Sequence, residues 1–276
     1  MNMERDPVIV VKIGGVALGS NDTTVEDIVH LQQQGKQLVV VHGGGKLITE
    51  WLKIHGIATR FVGGQRVTDR DSLAVATAVL TGLVNKEIVA AINQLGGRAT
   101  GISGADGALA QCRIEDEKLG YVGKIVRVNT ELLDTLLRAG QVPVISPLGI
   151  YAFDRPDGAP SLLNINGDIF ASEIAAAIGA EKLIFLTDVP GICDRSGELL
   201  SRLSAGEAEE LVASGIASGG MIPKIRGCIR VVKIALAACI IMAGSLTLCD
   251  SRLKGRVVAP RFIWINTAQN YVSKWG

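Results

Sequence analysis

A chain of 276 residues that is 48% hydrophobic and 20% charged is too apolar to be disordered, and its 33 glycines follow no collagen-like triplet repeat. With 28 Lys+Arg against 27 Asp+Glu, the formal net charge of +1 gives no broad footprint for nucleic acid or an anionic membrane, so a polyanion needs a local site. The length suits one large α/β domain or two tightly joined lobes.

In chain order, the pattern predicts a buried strand over 7–13 ended by Gly14-Gly15, then a helix over 25–34 stopped by Gly35. A second strand over 38–41 runs into His42-Gly43-Gly44-Gly45, and a helix over 46–55 ends at Gly56. A long Ala- and Val-rich helix is expected over 72–95, closed by Gly96-Gly97. The middle changes style. Short strands over 99–102, 108–114, 121–128 and 142–146 read as antiparallel hairpins attached to a parallel sheet. A helix over 168–178, a strand over 182–187 and helices over 207–214 and 223–243 follow. The alternation predicts an α/β fold: an open, mainly parallel sheet sandwiched by helices, with β-hairpins in an N-terminal lobe. A seam near 168–173 would divide lobes 1–172 and 173–276.

The apolar run at 8–11 is too short for a signal-peptide core. The longest apolar stretch, 234–249, falls short of a membrane span and reads as a buried helix, a glycine stop at Gly244 and a buried strand. Cys112, Cys193, Cys228, Cys239 and Cys249 form no CxxC, which points away from a disulfide frame or zinc site and toward a cytoplasmic location.

Three strands end in glycine: at Gly14-Gly15, at Gly43-Gly44-Gly45, and at Asp188-Val189-Pro190-Gly191. In an open parallel sheet such ends lie along the ligand-binding edge, where glycine lets backbone N–H groups converge on an anion and a following helix adds its positive end. Neither GxxxxGK[ST] nor GxGxxG occurs, so this is neither a P-loop nor a dinucleotide fingerprint. Lys12 stands among Val8, Ile9, Val10, Val11 and Ile13, where a lysine needs a partner; an edge strand facing solvent is the plain alternative. Lys224 follows Gly219-Gly220-Met221-Ile222-Pro223 and by itself could be a solvated helix-start lysine. Asp168, after Asn164-Ile165-Asn166-Gly167, could cap a helix or pair with lysines in a cleft. Arg66 offers the bidentate fork that carboxylates prefer, or is a surface loop arginine. His30, His42 and His55 share no ligand spacing; the first and last suit exposed helix faces, and His42 the shaping of the glycine loop.

Six segments then stand in register: Lys12-Ile13-Gly14-Gly15, His42-Gly43-Gly44-Gly45, Arg66-Val67-Thr68, Asn164 to Asp168, Thr187-Asp188-Val189-Pro190-Gly191 and Met221-Ile222-Pro223-Lys224. Together, over about residues 8 to 230, they resemble the amino-acid kinase family, in particular its members that phosphorylate the side-chain carboxylate of N-acetyl-L-glutamate in arginine biosynthesis. The resemblance implies ATP, with Mg²⁺ carried by the nucleotide, as cofactors. It assigns Lys12 and Lys224 to the transferring phosphoryl group and Asp168 to organising them. Gly44, Gly45, Arg66 and Asn164 match acylated-amino-acid positions. Gly14, Gly15, Asp188, Val189, Pro190, Gly191, Ile192, Cys193, Ile216, Ala217 and Ser218 match nucleotide positions. Substrate binding and dimerisation then fall to lobe 1–172 and nucleotide binding to lobe 173–276. The family's Asn-Ala-Asp reads Asn166-Gly167-Asp168 here, and 256–276 departs from the family's closing pattern. Lys12 lies too near Met1 for the N-terminal helix of arginine-inhibited hexamers, which leads to the expectation of an arginine-insensitive homodimer. Related readings are a kinase for carrier-protein-linked glutamate or aminoadipate, and a non-catalytic amino-acid or nucleotide sensor.

Overall fold

The computed structural model describes residues 7–14, 23–187, 192–194, 196, 198–200, 202–217, 219–235, 238–242 and 262–266. β1 (Val8–Ile13) is buried along its whole length, as a central parallel strand requires. α1 (Thr24–Gln33) buries Val25, Ile28, Val29 and Leu31 and ends before Gly35, whose φ of +82° only glycine adopts without strain. β2 (Gln37–His42) and α2 (Gly45–Ile54) follow, then a small hairpin of β3 (Phe61–Val62) and β4 (Gln65–Arg66). α3 (Arg70–Thr77), a π-helical segment Ala78–Val84 and α4 (Asn85–Gln94) form one rod. By length and composition that rod could cross a membrane, yet Leu73, Ala76, Val79, Leu80, Ile88 and Ile92 are buried in the protein.

β5 (Ala99–Gly104), β6 (Ala110–Ile114) and β7 (Gly123–Val128) lead to α5 (Glu131–Arg138), β8 (Val142–Tyr151) and β9 (Leu162–Asn164). α6 (Gly167–Ile178), β10 (Lys182–Leu186), β11 (Arg202–Ser204), α7 (Ala205–Ala213), α8 (Met221–Ala235), β12 (Ala238–Met242) and β13 (Phe262–Asn266) complete the described chain.

Among the described residues eleven strands form one sheet in the order β11-β13-β12-β10-β1-β2-β8-β6-β7, with β5 and β9 also paired to β8. β1 lies inside it, parallel to both β2 and β10, and Ile13 stands opposite both His42 and Leu186. Three strands therefore end at one level, where the N–H of Gly14 after β1 bonds to Leu186 O and that of Gly43 after β2 bonds to Ile13 O. Strand alternation sends Ile9, Val11 and Ile13 into a core with Ile28 and Val29 of α1 and Ile88 and Ile92 of α4. Val8 and Val10 face the other way, into a core built on Phe170, Ile174, Ile225 and Val232 of α6 and α8.

The mainly parallel, helix-covered architecture is as expected, with particular differences. β6–β7 and β8–β9 are antiparallel and attached to the main sheet, as expected, whereas β5 and β6 each join β8 in parallel, so not every short strand of the middle belongs to a hairpin. The apolar run 234–249 changes from helix to strand earlier than expected. α8 ends at Ala235 and β12 starts at Ala238, ahead of Gly244, because a short apolar run does not itself distinguish buried helix from buried strand. Within 256–276, β13 pairs antiparallel with β12.

Candidate active site

The alternation that sends Val8 and Val10 toward α6 sends Lys12 there too. Lys12 is 7% exposed in a strand flanked on both sides, which removes the edge-strand alternative. A buried ammonium is costly without a counter-charge, and Asp168 supplies it: Lys12 Nζ lies 2.7 Å from Asp168 Oδ1. Lys224 Nζ, from the first turn of α8, donates to Asp168 Oδ2 at 2.9 Å and to the Gly220 carbonyl at 3.3 Å. Two cations far apart in sequence thus share one carboxylate. The Lys12 contact is a short ion pair with both side chains buried.

Asp168 is no N-cap. Asn166 caps α6, its Oδ1 accepting from the N–H groups of Asp168 at 2.9 Å and Ile169 at 3.2 Å. That frees the Asp168 side chain for the lysines while the helix N-terminus favours its negative charge. Burial pushes the Asp168 carboxyl up, but the pull of Lys12 and then Lys224 outweighs it and holds the group below the ordinary carboxylate range. Gly167 has room for the family's alanine, since a Cβ there would sit 3.4 Å from Lys12 Cε.

A cavity of about 220 Å³ opens beside Lys12 and Asp168, bounded by Gly43, Gly44, Gly45, Arg66 and Asn164. Gly44 has an extended backbone; what demands glycine is space, because a Cβ would come within 2.8 Å of Leu80 Cδ2. A Cβ on Gly45 would meet nothing within 4 Å among the described residues. Arg66 is buried, on β4 of the small hairpin. Its Nη2 donates to Gly45 O at 2.9 Å and Thr49 Oγ1 at 2.7 Å, and its guanidinium lies over the Phe61 ring at 4.8 Å. Among the described residues no carboxylate pairs with it. Burial lowers the Arg66 pKa from its usual value.

Asn164, on β9, donates from Nδ2 to Thr68 Oγ1 at 3.2 Å. The Thr68 hydroxyl spends its proton on Arg66 O at 3.0 Å, so the amide orientation is set and Asn164 keeps Oδ1 as an acceptor. Gln65 donates from Nε2 to Glu115 at 3.0 Å and leaves Oε1 buried and without a hydrogen-bond partner among the described residues. Nothing in the sequence marked Gln65; only the hairpin, too short to show in a hydropathy pattern, turns it toward the cavity. His42 shapes the glycine loop, as expected. Burial, the largest effect, lowers its pKa to about 4, against the opposing hydrogen bond with Gly43 O at 2.8 Å. His30 is exposed on α1, and His55 is exposed at the cap that follows α2.

Of the nucleotide-type positions, Gly14 follows β1, its N–H donating to Leu186 O at 3.2 Å beside Lys12. The side chains of Ile192 and Ala217 belong to the core, Ile216 is half-buried, and Cys193 bridges to Leu199. The cavity does not include these four. Gly15, Asp188, Val189, Pro190, Gly191 and Ser218 lie outside the described residues.

The model of the amino acid kinase family matches residues 7–242. The chain belongs to the amino acid kinase family. Among curated members, the acetylglutamate kinase of Dehalococcoides mccartyi strain CBDB1 is 48% identical over 241 residues, 87% of this chain and 89% of that one. The acetylglutamate kinase of Cereibacter sphaeroides strain ATCC 17029 is 46% identical over 240 residues, covering 86% and 80%. In solved structures, smu.665 from Streptococcus mutans UA159 superposes with a TM-score of 0.77 at 28% identity, over 86% of this chain and 97% of that one. N-acetylglutamate synthase from Neisseria gonorrhoeae, complexed with coenzyme A and N-acetyl-glutamate, superposes with a TM-score of 0.78 at 24% identity, covering 96% and 61%. Carbamate kinase from Giardia lamblia reaches 0.66 at 15%, over 94% and 99%. These last two speak to the fold alone. As an amino acid kinase of this similarity, the chain is a phosphotransferase.

Proposed function

We propose that the chain transfers the γ-phosphoryl group of ATP to the side-chain carboxylate of N-acetyl-L-glutamate, giving an acyl phosphate and ADP. The observation that carries this reading is the charge of the cavity. Lys12 and Arg66 line it, Lys224 stands behind Asp168, and Asp168, the one lining acid among the described residues, already serves both lysines. Such a site suits a ligand with two carboxylates. Among the described residues its lining offers no second acid for an α-ammonium, which favours an amino acid whose nitrogen an acyl group has neutralised. Arg66 is suited to the α-carboxylate, Asn164 Oδ1 to the amide N–H, and buried Ile48, Leu80 and Val122 to the acetyl methyl. The homologues named acetylglutamate kinase support the same substrate.

The chemistry needs little beyond alignment and charge neutralisation. A carboxylate is already ionised at neutral pH and attacks without a general base. Lys12 on the acceptor side and Lys224 opposite would offset the charge that spreads over the transferring group, with Asp168 keeping both ammoniums from collapsing onto the substrate. The N–H groups of Gly44 and Gly45 would add fixed dipoles. Mg²⁺, bound to the triphosphate, would contribute further neutralisation.

In the same reading, residues 1–172 hold the amino acid and the contacts of a homodimer, and 173–276 hold the nucleotide. The protein acts in the cytoplasm, in arginine biosynthesis. Light scattering tests the dimer. The substrate is tested by ADP release with ATP, Mg²⁺ and N-acetyl-L-glutamate beside free glutamate and aspartate, with hydroxylamine trapping the acyl phosphate. Preference for free glutamate would overturn the assignment.

A further inference from the structure

Behind the glycine loop lies a buried chain of hydrogen bonds that the transfer itself does not use. Lys86 Nζ donates to Asn85 Oδ1 at 3.0 Å, which fixes which end of the Asn85 amide is which. Asn85 Nδ2 then donates to Val144 O at 2.8 Å and meets His42 Nε2 at 3.2 Å. The Gly43 carbonyl can only accept, so at 2.8 Å the ring proton sits on Nδ1. The Asn85 amide, which also lies 3.4 Å from Ile102 O, therefore faces an Nε2 left as an acceptor.

The π-helical segment makes this contact possible. The Asn85 N–H bonds to Leu80 O, an i→i+5 bond that widens the turn and stacks residues five apart on one face. Leu80, packed against Gly44, and Asn85, against His42, therefore both face the glycine loop, and both are at most 2% exposed. An unbroken α-helix would turn one of them away.

Gly43 is consequently pinned at both ends: its N–H by Ile13 O at 2.9 Å and its carbonyl by His42. In a trans peptide the next N–H points opposite to that carbonyl, so the Gly44 N–H is aimed away from His42, on the cavity side.

We infer that Asn85 and His42 are positioning residues that hold the Gly43–Gly44 peptide so that the Gly44 N–H faces the reacting group. The inference rests on the proposed phosphotransfer for its catalytic consequence, while its geometric half can be read without turnover.

Nitrogen-15 NMR of the full chain at pH 7 is expected to find His42 as the Nδ1–H tautomer; an Nε2–H tautomer or an imidazolium overturns the relay. His42→Asn puts an amide nitrogen at the same bond distance from Cα as Nδ1, whereas His42→Ala and His42→Gln do not. His42→Ala, His42→Gln and Asn85→Ala should displace the Gly44 amide resonance and lower kcat roughly 10- to 100-fold, the scale for a sub-ångström to 1 Å misplacement. His42→Asn should restore both toward the wild type. Equal loss in His42→Asn and His42→Ala, or an unmoved Gly44 resonance in all variants, would reduce His42 to packing. Absence of wild-type ADP release would count against the substrate assignment alone, since the tautomer and the Gly44 resonance need no reaction.

Discussion

Asp168 holds two ammonium groups within 3 Å of one carboxylate, so each of the three side chains acts through the others. In the proposed transfer both lysines offset charge on the moving phosphoryl group, so Lys12→Ala or Lys224→Ala should lower kcat about 10²-fold or more. Unchanged turnover in either purified variant removes that lysine from the mechanism. Two adjacent glycines separate binding from packing. Gly45→Val projects into open space, so it should raise KM for N-acetyl-L-glutamate by about tenfold or more and leave the melting temperature nearly unchanged. Gly44→Ala instead forces the buried Leu80 to give way, costing about 1–3 kcal/mol of stability. The opposite pattern, measured by kinetics and urea unfolding, would place the substrate elsewhere.

At the scale of elements, α6 carries the site because its cap is separate from its catalytic-type acid. Asn166→Ala should cost about 1 kcal/mol in urea unfolding and also lower kcat as Asp168 loses its fixed start; Asn166→Ser should recover most of both. Stability lost with kcat untouched would show that Asp168 is held by the lysines alone. β1, β2 and α6 were legible because each pairs a long apolar pattern with glycine punctuation at its end. Elements lacking such a signal were not. β3, β4 and β9 span only two or three residues and exist through their partners. The π-helical segment comes from packing of Leu80 and Asn85, which helical periodicity does not encode. α5 is the exception: Leu133 and Leu137 stand one turn apart on its buried face, a readable pattern that the short-strand reading of the middle passed over. The site was legible as residue types in register; Gln65 and Asn85 were not, since both depend on contacts between elements distant in sequence.

Across the whole molecule, Lys12 on β1, His42 on β2 and Asp168 on α6 are all buried, and the burial of His42 together with the ion pairing of Asp168 makes the fold sensitive to acid. For His42, burial lowers the folded pKa to about 4, against about 6.5 in the unfolded chain. As pH falls below 6.5 the unfolded state takes up a proton that the folded state refuses. The His42 contribution is therefore fully present above about pH 6.5 and is lost on the way down to about 4. A difference of about 2.5 units corresponds to roughly 3 kcal/mol. Asp168 has the sign of a depressed carboxylate: its contribution is present above the ordinary carboxylate pKa and is lost in stronger acid as the carboxylate is protonated. The two groups thus divide the acid range, His42 acting between about pH 6.5 and 4 and Asp168 below it. Urea midpoints measured from pH 7 to 4.5 should fall in the wild type and in Asp168→Asn alike, and fall clearly less in His42→Asn, which has no proton to refuse. A His42→Asn curve parallel to the wild type would mean that another buried group sets the acid limit of the fold.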